Sequence, residues 1–433
     1  MERTTISKTV AAGLCTGCGI CAGICPRDCI SWEGREGMYL PKIEQSACVG
    51  CGLCAEVCPG MGHRYTTCGD AAATVTGPVL ASFNAWSKDD RVRHIAASGG
   101  VITTMVETLL QSGQYDSVFC LDSYDYREQL LTCRHTADTF RKEEEGGATP
   151  KSRYLPVSQE EAVRYLLAHQ DERIIFIATS CALRGLAAVM ERKKLDRENY
   201  LLLGLFCDKI FNYNVLTYWQ DRYCGGAPIR ALHFKNKESG GWPGDMKIYP
   251  EAGESFYRPM AERGEAKCYF MPERCLYCVD KLNAMADISL GDNYTPVASS
   301  KEGSNSVILR TQRGMDVWNG VCSALEAVPV EVKDIQDAQY LQGRLNNLYL
   351  GDLKSQELGW TQDLNSGVPR EQDASEFVPA KKLQFRRLRC GAVYDSDPGV
   401  LAKQMARDAR KPDPITSFLR RGIGFVKRRL RNR

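Results

Sequence analysis

Two short stretches near the amino terminus carry the same cysteine pattern. The first is CTGCGICAGICP at residues 15–26, and the second is CVGCGLCAEVCP at residues 48–59. Each run has three cysteines separated by two residues, a fourth after three more, and then a proline. Such a doubled run is typical of two-cluster bacterial ferredoxins, in which the fourth cysteine of each run ligates the other cluster. The pattern predicts two 4Fe-4S clusters and an electron-transfer function.

The crossed arrangement assigns four cysteines to each predicted cluster. Cluster I takes Cys15, Cys18, Cys21 and Cys58, and cluster II takes Cys48, Cys51, Cys54 and Cys25. The alternatives are a zinc module or a disulfide framework. Zinc sites usually place two CxxC pairs well apart, and doubled runs ending in Cys-Pro do not fit that spacing. The ferredoxin interpretation is therefore preferred.

Composition limits the class of protein. The chain has 433 residues, long enough for two or three domains, with 43% hydrophobic and 25% charged residues as in ordinary globular proteins. Its 20 cysteines, clustered as described, favour a reducing compartment. The amino-terminal residues lack the apolar core of a signal peptide, and no run of 18 apolar residues could span a membrane. We therefore expect a cytoplasmic protein.

After the cysteine runs, apolar strands alternate with helices. Residues 174–179 and 200–207 have the continuous apolar character of buried strands, and 160–169, 183–194 and 214–223 have helical periodicity. This alternation predicts an α/β fold, with a central mixed or mainly parallel sheet covered by helices and an amino-terminal α+β ferredoxin-like domain. The expected divisions are 1–65 for the ferredoxin-type domain, 80–350 for the α/β domain, and 351–433 for a polar connector with a basic tail. Residues 60–80 are expected to be a linker.

A second set of cysteines follows the predicted strands. Cys181 and Cys207 stand at equivalent strand ends, and Cys275 and Cys278 form a further CxxC pair. Because ligands of open α/β sheets bind beyond the carboxyl ends of the strands, these thiols are predicted to hold a third 4Fe-4S cluster. A four-cysteine zinc site and unliganded core thiols remain the alternatives.

Two further features suit a phosphate-containing cofactor. Ser98 is a candidate N-cap of a helix that Gly99 and Gly100 open, and exposed N–H groups at a helix start favour a phosphate or a flavin edge. Lys235 and Lys237 alternate along a predicted strand and would suit a pyrophosphate on one face, although a plain cap and a solvated strand face are the commoner meanings. The chain has no Gly-x-Gly-x-x-Gly after a strand and so no Rossmann signature for NAD.

The order of these motifs, from about residue 10 to residue 345, resembles one family. The motifs are the doubled cysteine run, Ser98-Gly99-Gly100, Thr179-Ser180-Cys181 with Arg184-Gly185-Leu186, Cys207, Lys237 with Gly241-Trp242, Cys275xxCys278, and ADISLGD at 286–292. The family is the beta subunit of coenzyme F420 (deazaflavin) hydrogenases and dehydrogenases, whose relatives include chlorophyll-pathway reductases. The chain departs from the family pattern at Ser180, at Asp208–Lys209 and at Lys235–Asn236.

The resemblance implies FAD in the central domain, a 4Fe-4S cluster beside it, and hydride or electron transfer at the flavin. Matching positions imply flavin contacts at Ser98, Gly99, Gly100, Thr179, Ser180, Lys237 and Asp292. They imply cluster ligands at Cys181, Cys207, Cys275 and Cys278. Family members also occur in bacteria alongside surface-polysaccharide synthesis, which implies a sugar-related compound as one candidate substrate. No catalytic residue is assigned.

The carboxyl-terminal tail is electrostatically separate from the body. Residues 380–433 hold 16 Lys and Arg against 4 Asp, a balance of +12, so the rest of a chain of net charge +3 carries −9. Residues 415–430 approximate a basic amphipathic helix, which predicts peripheral contact with an anionic membrane or an acidic partner, with a disordered tail as the alternative. No recognised nucleic-acid module accompanies it, so nucleic-acid binding is not expected.

Two functions compete on this basis. The first is an oxidoreductase that takes electrons from ferredoxin through the clusters to FAD and reduces a small organic substrate. The second is an electron-transfer subunit that couples a partner oxidoreductase to a ferredoxin or deazaflavin pool and has no organic substrate of its own. An iron–sulfur scaffold or sensor without flavin is a third, weaker interpretation.

Overall fold

In the computed structural model, the described residues are 4–121, 129–140, 152–361 and 363–410. The basic helix expected at 415–430 lies outside these residues. Within them, no helix combines the length and apolar character needed to cross a membrane.

The doubled cysteine run folds into a small α+β unit. Its elements are α1 (Ile6–Ala11), α2 (Ile20–Gly23), β1 (Ile30–Arg35), β2 (Met38–Ile43) and α3 (Leu53–Glu56), with β1 and β2 paired antiparallel. Helices α2 and α3 each begin after a glycine in the left-handed region, Gly19 at φ 76° and Gly52 at φ 81°. Because a side chain at these positions would strain the backbone, the glycine after the second cysteine of each run fixes the same tight turn.

The remaining elements build the larger part of the molecule. The strands are β3 (His63–Arg64), β4 (Ala81–Ser87), β5 (Ser117–Cys120), β6 (Leu130–Leu131), β7 (Cys133–His135), β8 (Val157–Ser158), β9 (Ile174–Thr179), β10 (Tyr200–Leu205), β11 (Ile229–Asn236), β12 (Asp245–Pro250), β13 (Phe256–Arg258), β14 (Ile288–Asp292), β15 (Asn305–Leu309), β16 (Leu325–Pro329) and β17 (Asn365–Ser366). The helices are α4 (Ala71–Thr76), α5 (Asp90–Ile95), α6 (Val101–Gln111), α7 (Glu160–Ala168), α8 (Ser180–Lys193), α9 (Asn214–Tyr223), α10 (Met260–Phe270), α11 (Gln312–Val321), α12 (Val332–Ala338), α13 (Leu341–Glu357), α14 (Val378–Ala392) and α15 (Pro398–Arg410).

An eight-stranded mixed sheet forms the centre, in the order β16-β4-β15-β14-β10-β9-β5-β7. Strands β5, β9, β10 and β14 run parallel, and the outer strands pair antiparallel. Helices α6 and α11 pack on one face, and α7 and α8 pack on the other. The expected mixed sheet covered by helices is therefore confirmed. The carboxyl ends of the four parallel strands share one edge of the sheet.

The ferredoxin unit packs on the face covered by α7 and α8. Ile20 of α2 and Ile24, directly after α2, join the apolar cluster that those helices form with the sheet. The contact is close, since a Cβ atom on Gly185 would lie 2.8 Å from Ile20 Cγ1. The backbone N–H of Gln159 also donates to the Cys18 carbonyl at 2.8 Å. These contacts bring the cysteine runs against the central sheet.

Three local features differ from the sequence-based expectations. The expected linker at 60–80 contains β3 and α4, and β3 pairs in parallel with β17 from the expected polar connector. Ser98 is not the N-cap, because α6 begins after Gly100 (φ 79°), and the Ser98 hydroxyl donates to the Ser304 carbonyl. The expected linker and connector form regular structure because backbone groups distant in sequence satisfy their hydrogen bonds.

A smaller antiparallel sheet, β11-β12-β13, packs with α9, α10, α14 and α15 around a separate apolar cluster. Helices α14 and α15 lie in the segment expected to be a connector and tail. Arg387 of α14 is 1% exposed and pairs with Asp408 of α15. The segment after residue 378 is therefore attached to the body as far as Arg410.

Candidate redox site

The eight cysteines of the doubled run lie in two groups. Burial raises the pKa of Cys15, Cys18 and Cys21, and the charge of Cys58, from the other run, raises each further. Cys25 from the first run lines a small cavity together with three cysteines of the second run: Cys48, Cys51 and Cys54. Cys29 also lines this cavity, with its Sγ 3.4 Å from Cys25 Sγ. The grouping fits the crossed assignment, which stays a prediction for the individual ligands.

The third set of cysteines gathers at the edge where the parallel strands end. Cys181 is in the first turn of α8, directly after β9, and Cys207 follows β10. Burial raises the pKa of Cys207 well above its ordinary value, and the charges of Cys275, Cys181 and Cys278 add to that shift. The four thiols therefore lie within electrostatic reach of one another, although they come from separate parts of the chain.

Backbone contacts hold the loop with Cys275 and Cys278 against the strand ends. The Ser180 hydroxyl donates to the Asp280 carbonyl at 2.7 Å, and the Cys207 N–H donates to the Lys281 carbonyl at 2.9 Å. From the other side, Asn347 Nδ2 donates to the Cys278 carbonyl at 2.8 Å. Ser180, which is predicted to contact a flavin, is buried where its hydroxyl bonds to this loop, and it does not line the cavity described next.

The third group has a cationic shell with unsatisfied donors. Arg184, Arg274 and Arg344 lie within electrostatic reach of its thiols, and each has one buried N–H donor without a hydrogen-bond partner among the described residues. An unpaired buried donor is costly. Three such donors around four thiols fit an anionic cluster with sulfur acceptors, so the donor set is compatible with a 4Fe-4S cluster.

A cavity of about 1140 Å³ opens beside this group. Cys181 and Cys207 line it, as does Cys18 of the ferredoxin unit. The first turns of α6 and α8 also border it, so the amino-terminal ends of two helices lie at the cavity wall. Helix starts of this kind favour phosphates and other anions, and the volume is sufficient for a dinucleotide-sized ligand.

The structure places the residues predicted to contact a flavin in two sets. Those that line the cavity are Ser98, Gly100, Thr179 and Asp292. Those that do not line it are Gly99, Ser180 and Lys237. Gly99 instead packs closely, since a Cβ atom there would lie 2.8 Å from the Ala85 carbonyl oxygen. The flavin contacts of all seven residues stay a prediction.

Lys235 and Lys237 do not share one face, contrary to the sequence-based expectation. A register shift between His233 and Asn236 interrupts the alternation of β11. Lys235 consequently faces the cavity and pairs with Asp292. Lys237 turns inward and donates to the carbonyls of Arg93, Ser98 and Glu302, which stabilises the loop before α6.

Sequence reasoning missed most of the cations along the cavity. Lys267 and Lys281 approach Asp208 at 3.4 and 3.7 Å, and Arg344 approaches it at 3.7 Å. Burial would raise the pKa of Asp208, but these cations hold it well below its ordinary value. They are scattered along the chain, with Lys267 in α10, Lys281 before β14 and Arg344 in α13, and no sequence motif marks them.

A second cationic set surrounds Tyr154, which also lines the cavity. The charged groups of Lys235, Arg263 and Lys267 lie 5.9, 5.0 and 5.0 Å from its ring centroid. Burial would raise the pKa of Tyr154, but these charges lower it below its ordinary value. This part of the cavity is suited to an anionic group.

Comparison with protein families matches three regions of the chain. Residues 14–60 match the 4Fe-4S dicluster domain. Residues 82–164 match the amino-terminal domain of the coenzyme F420 hydrogenase/dehydrogenase beta subunit, and 171–337 match its carboxyl-terminal domain. The dicluster match supports iron–sulfur clusters in the amino-terminal unit.

The chain is also similar to one curated protein in sequence and to one solved structure in fold. The chain is 22% identical over 409 residues to the coenzyme F420-dependent sulfite reductase of Methanocaldococcus jannaschii, covering 87% of this chain but only 57% of that relative. A chain of the F420-reducing NiFe hydrogenase complex from Methanosarcina barkeri shares the fold, with a TM-score of 0.51 and 16% identity over 66% of this chain and 95% of that one. With its two beta-subunit domains following a dicluster domain, the chain belongs to the coenzyme F420 hydrogenase/dehydrogenase beta subunit family.

Proposed function

We propose that the protein is an iron–sulfur flavoprotein oxidoreductase that passes electrons from ferredoxin, or another redox partner, to a small organic substrate. The observation that carries the proposal is the continuity of its cysteine groups. The charge of Cys181 raises the pKa of both Cys15 and Cys18 beyond the effect of burial, so cluster I and the third group are neighbours. Cys18 and Cys181 also line one cavity.

The third cysteine group would hold a 4Fe-4S cluster through Cys181, Cys207, Cys275 and Cys278. The unsatisfied donors of Arg184, Arg274 and Arg344 support this choice over unliganded core thiols. A single zinc ion, the other alternative, is a redox-inert centre and would not continue an electron path. The clusters supply one-electron transfer, while the chain fixes their spacing and surroundings.

The cavity would hold FAD, which exchanges electrons singly or in pairs when bound. The starts of α6 and α8 would contact its anionic or polar edge, with Ser98, Gly100 and Thr179 at the wall. Lys235, Arg263 and Lys267 would neutralise a pyrophosphate or an anionic substrate near Tyr154. Deazaflavin is the competing ligand, since both named relatives act with coenzyme F420.

A second candidate function is that of an electron-transfer subunit without its own organic substrate. It is favoured because the chain spans only 57% of the curated relative and because the solved relative belongs to a multi-subunit complex. In that case, a partner protein would carry the substrate site.

The cytoplasm is the proposed compartment in both cases, with the tail at 415–430 making peripheral contact with an anionic membrane. Binding of the full chain, but not of a chain ending at Arg410, to anionic vesicles would test the last point.

Anaerobic purification with iron, sulfide and flavin counted per chain tests the central proposal. We expect about twelve irons, for three clusters of four, and one FAD. About eight irons without flavin would overturn both the third cluster and the flavin site. Titration with reduced coenzyme F420 and with reduced ferredoxin would then identify the electron donor, and a stoichiometric partner in the purified sample would favour the subunit function.

A further inference from the structure

Arg274 occupies the junction between cluster I and the third cysteine group. It directly precedes Cys275 in the chain, and its Nε donates to the Gly60 carbonyl at 3.2 Å, two residues beyond Cys58. The residue is only 7% exposed. One buried side chain thus connects the backbone that follows a cluster I ligand with the backbone that holds a ligand of the third cluster.

Its buried charge lies beside ligands of both groups, next to Cys275 in the chain and hydrogen-bonded to the backbone that follows Cys58. The neighbouring arginines are different in this respect, because Arg184 pairs with Asp280 and Arg344 lies 3.7 Å from Asp208. Within the described ranges, Arg274 forms no ion pair with a carboxylate, and its Nη1 has no hydrogen-bond partner.

We propose that Arg274 raises the electron affinity of both cluster I and the third cluster. A 4Fe-4S cluster held by four thiolates is anionic, and reduction adds one electron without forming or breaking a bond. A buried positive charge and a donated hydrogen bond both favour the more negative, reduced form. The inference deepens the proposed function and rests on it, because it requires the third cluster to be present.

The arrangement also predicts which clusters are affected. Cluster II lies in the half of the ferredoxin unit that Arg274 does not contact, and Val49, between its predicted ligands Cys48 and Cys51, is 63% exposed to water. Replacement of Arg274 should therefore change two potentials and leave the third as it was. Replacement of Arg344, whose guanidinium donates to the carbonyl of Asp208 directly after Cys207, should change the potential of the third cluster alone.

The experiment is a dithionite titration of the full chain, purified without oxygen, with the three clusters followed by electron paramagnetic resonance. The variants are Arg274→Gln, Arg274→Lys and Arg344→Gln. The matched control is Arg197→Gln, which also removes an arginine charge but at the opposite edge of the sheet, where Arg197 pairs with Asp287. Iron and sulfide are counted for each variant.

We expect Arg274→Gln to weaken electron binding about tenfold at both cluster I and the third cluster, a fall of about 59 mV for each one-electron couple. Cluster II and the Arg197→Gln control should change less than about twofold. Arg274→Lys keeps the charge but loses the Nη1 donor, so its effect should be smaller, about threefold at each cluster.

Four results would overturn the inference. About twelve irons with unchanged potentials in Arg274→Gln would refute the role of Arg274 and leave the proposed function intact. An equal fall at cluster II would indicate a general loss of structure rather than a local charge effect. About eight irons in the unaltered protein would refute the third cluster and this inference together. If Arg274→Gln does not retain its clusters, unchanged potentials in Arg274→Lys would decide against the proposal.

Discussion

The ferredoxin unit and the third cysteine group bring thiols together by different means. In cluster I, three of the four predicted ligands lie within residues 15–21, and the turn at Gly19 fixes their spacing. In the third group, the ligands extend from residue 181 to residue 278 and meet only because β9 and β10 end at the same edge. Local sequence decides the first arrangement, and sheet topology decides the second.

Loss of one ligand from each region provides the largest test of this comparison. Cys21→Ala and Cys207→Ala should each lose about four irons per chain and interrupt electron transfer from donor to acceptor. The control is Cys120→Ala, because Cys120 is buried and lines the same cavity but belongs to neither group. Iron analysis is the measurement. Full iron content in Cys207→Ala would show that Cys207 is not a cluster ligand.

The same difference explains what could be predicted from the sequence. The runs at 15–26 and 48–59 reveal the dicluster unit because the spacing of their cysteines is the spacing that the ligands of a 4Fe-4S cluster require. Continuous apolar runs predicted β9 and β10, since strands buried on both faces have no polar positions, and helical periodicity predicted the helices around them, with every end within three residues. Local pattern was sufficient for these parts.

Other features depend on contacts that no local pattern contains. The register shift in β11 sends Lys235 and Lys237 to different environments, and the pairing of β3 with β17 depends on residues separated by most of the chain. The cations around Asp208 and Tyr154 come from several elements. The role proposed for Arg274 could not be predicted for the same reason, because it depends on a contact with Gly60, which is distant in sequence.

A second test compares a buried ion pair at the third group with an exposed pair beside the ferredoxin unit. Asp280→Asn leaves the Arg184 charge buried without a counter-ion, since the Asp280 side chain is 2% exposed. We expect a loss of about 3 kcal/mol in the free energy of unfolding. Asp28→Asn, which removes the partner of Arg164 at a 67% exposed carboxylate, should cost less than about 1 kcal/mol. Anaerobic urea unfolding measures both, and equal losses would contradict the comparison.

A third test uses pH at the junction of the two regions. Burial and the Arg184 charge lower the pKa of His63 to about 3. The unfolded chain takes up this proton near its ordinary pKa of 6.5, so stability falls as the pH drops from about 6.5 towards about 3. Between pH 7 and pH 5, we expect a loss of about 2 kcal/mol in unfolding free energy that His63→Gln lacks. The exposed His169 provides the control His169→Gln, and identical pH profiles for the unaltered protein and His63→Gln would refute the prediction.

The smallest expected effect is a difference in stability between alanine substitutions in the two halves of the ferredoxin unit. Gly19 and Gly50 both have positive φ angles, 76° and 61°. A Cβ atom on Gly19 would lie 2.0 Å from Ser158 Oγ and 3.0 Å from the Gln159 backbone nitrogen, whereas one on Gly50 meets nothing within 4 Å. Gly50→Ala should therefore cost about 1 kcal/mol from backbone strain alone. Gly19→Ala should cost about 1 kcal/mol more because it also disturbs domain packing, and equal costs in thermal unfolding would exclude that contribution.

The pairing of β3 with β17 has a consequence for synthesis of the protein in the cell. The His63 N–H donates to the Leu364 carbonyl at 2.9 Å, so these partners are translated about 300 residues apart. At roughly 5–20 residues per second, the ribosome needs on the order of 15–60 s to make the second partner after the first. All eight ferredoxin cysteines emerge before Cys275 and Cys278. Cluster insertion is therefore expected to follow the order of synthesis: the amino-terminal clusters can be loaded on the nascent chain, and the proposed third cluster only after the sheet edge has been completed.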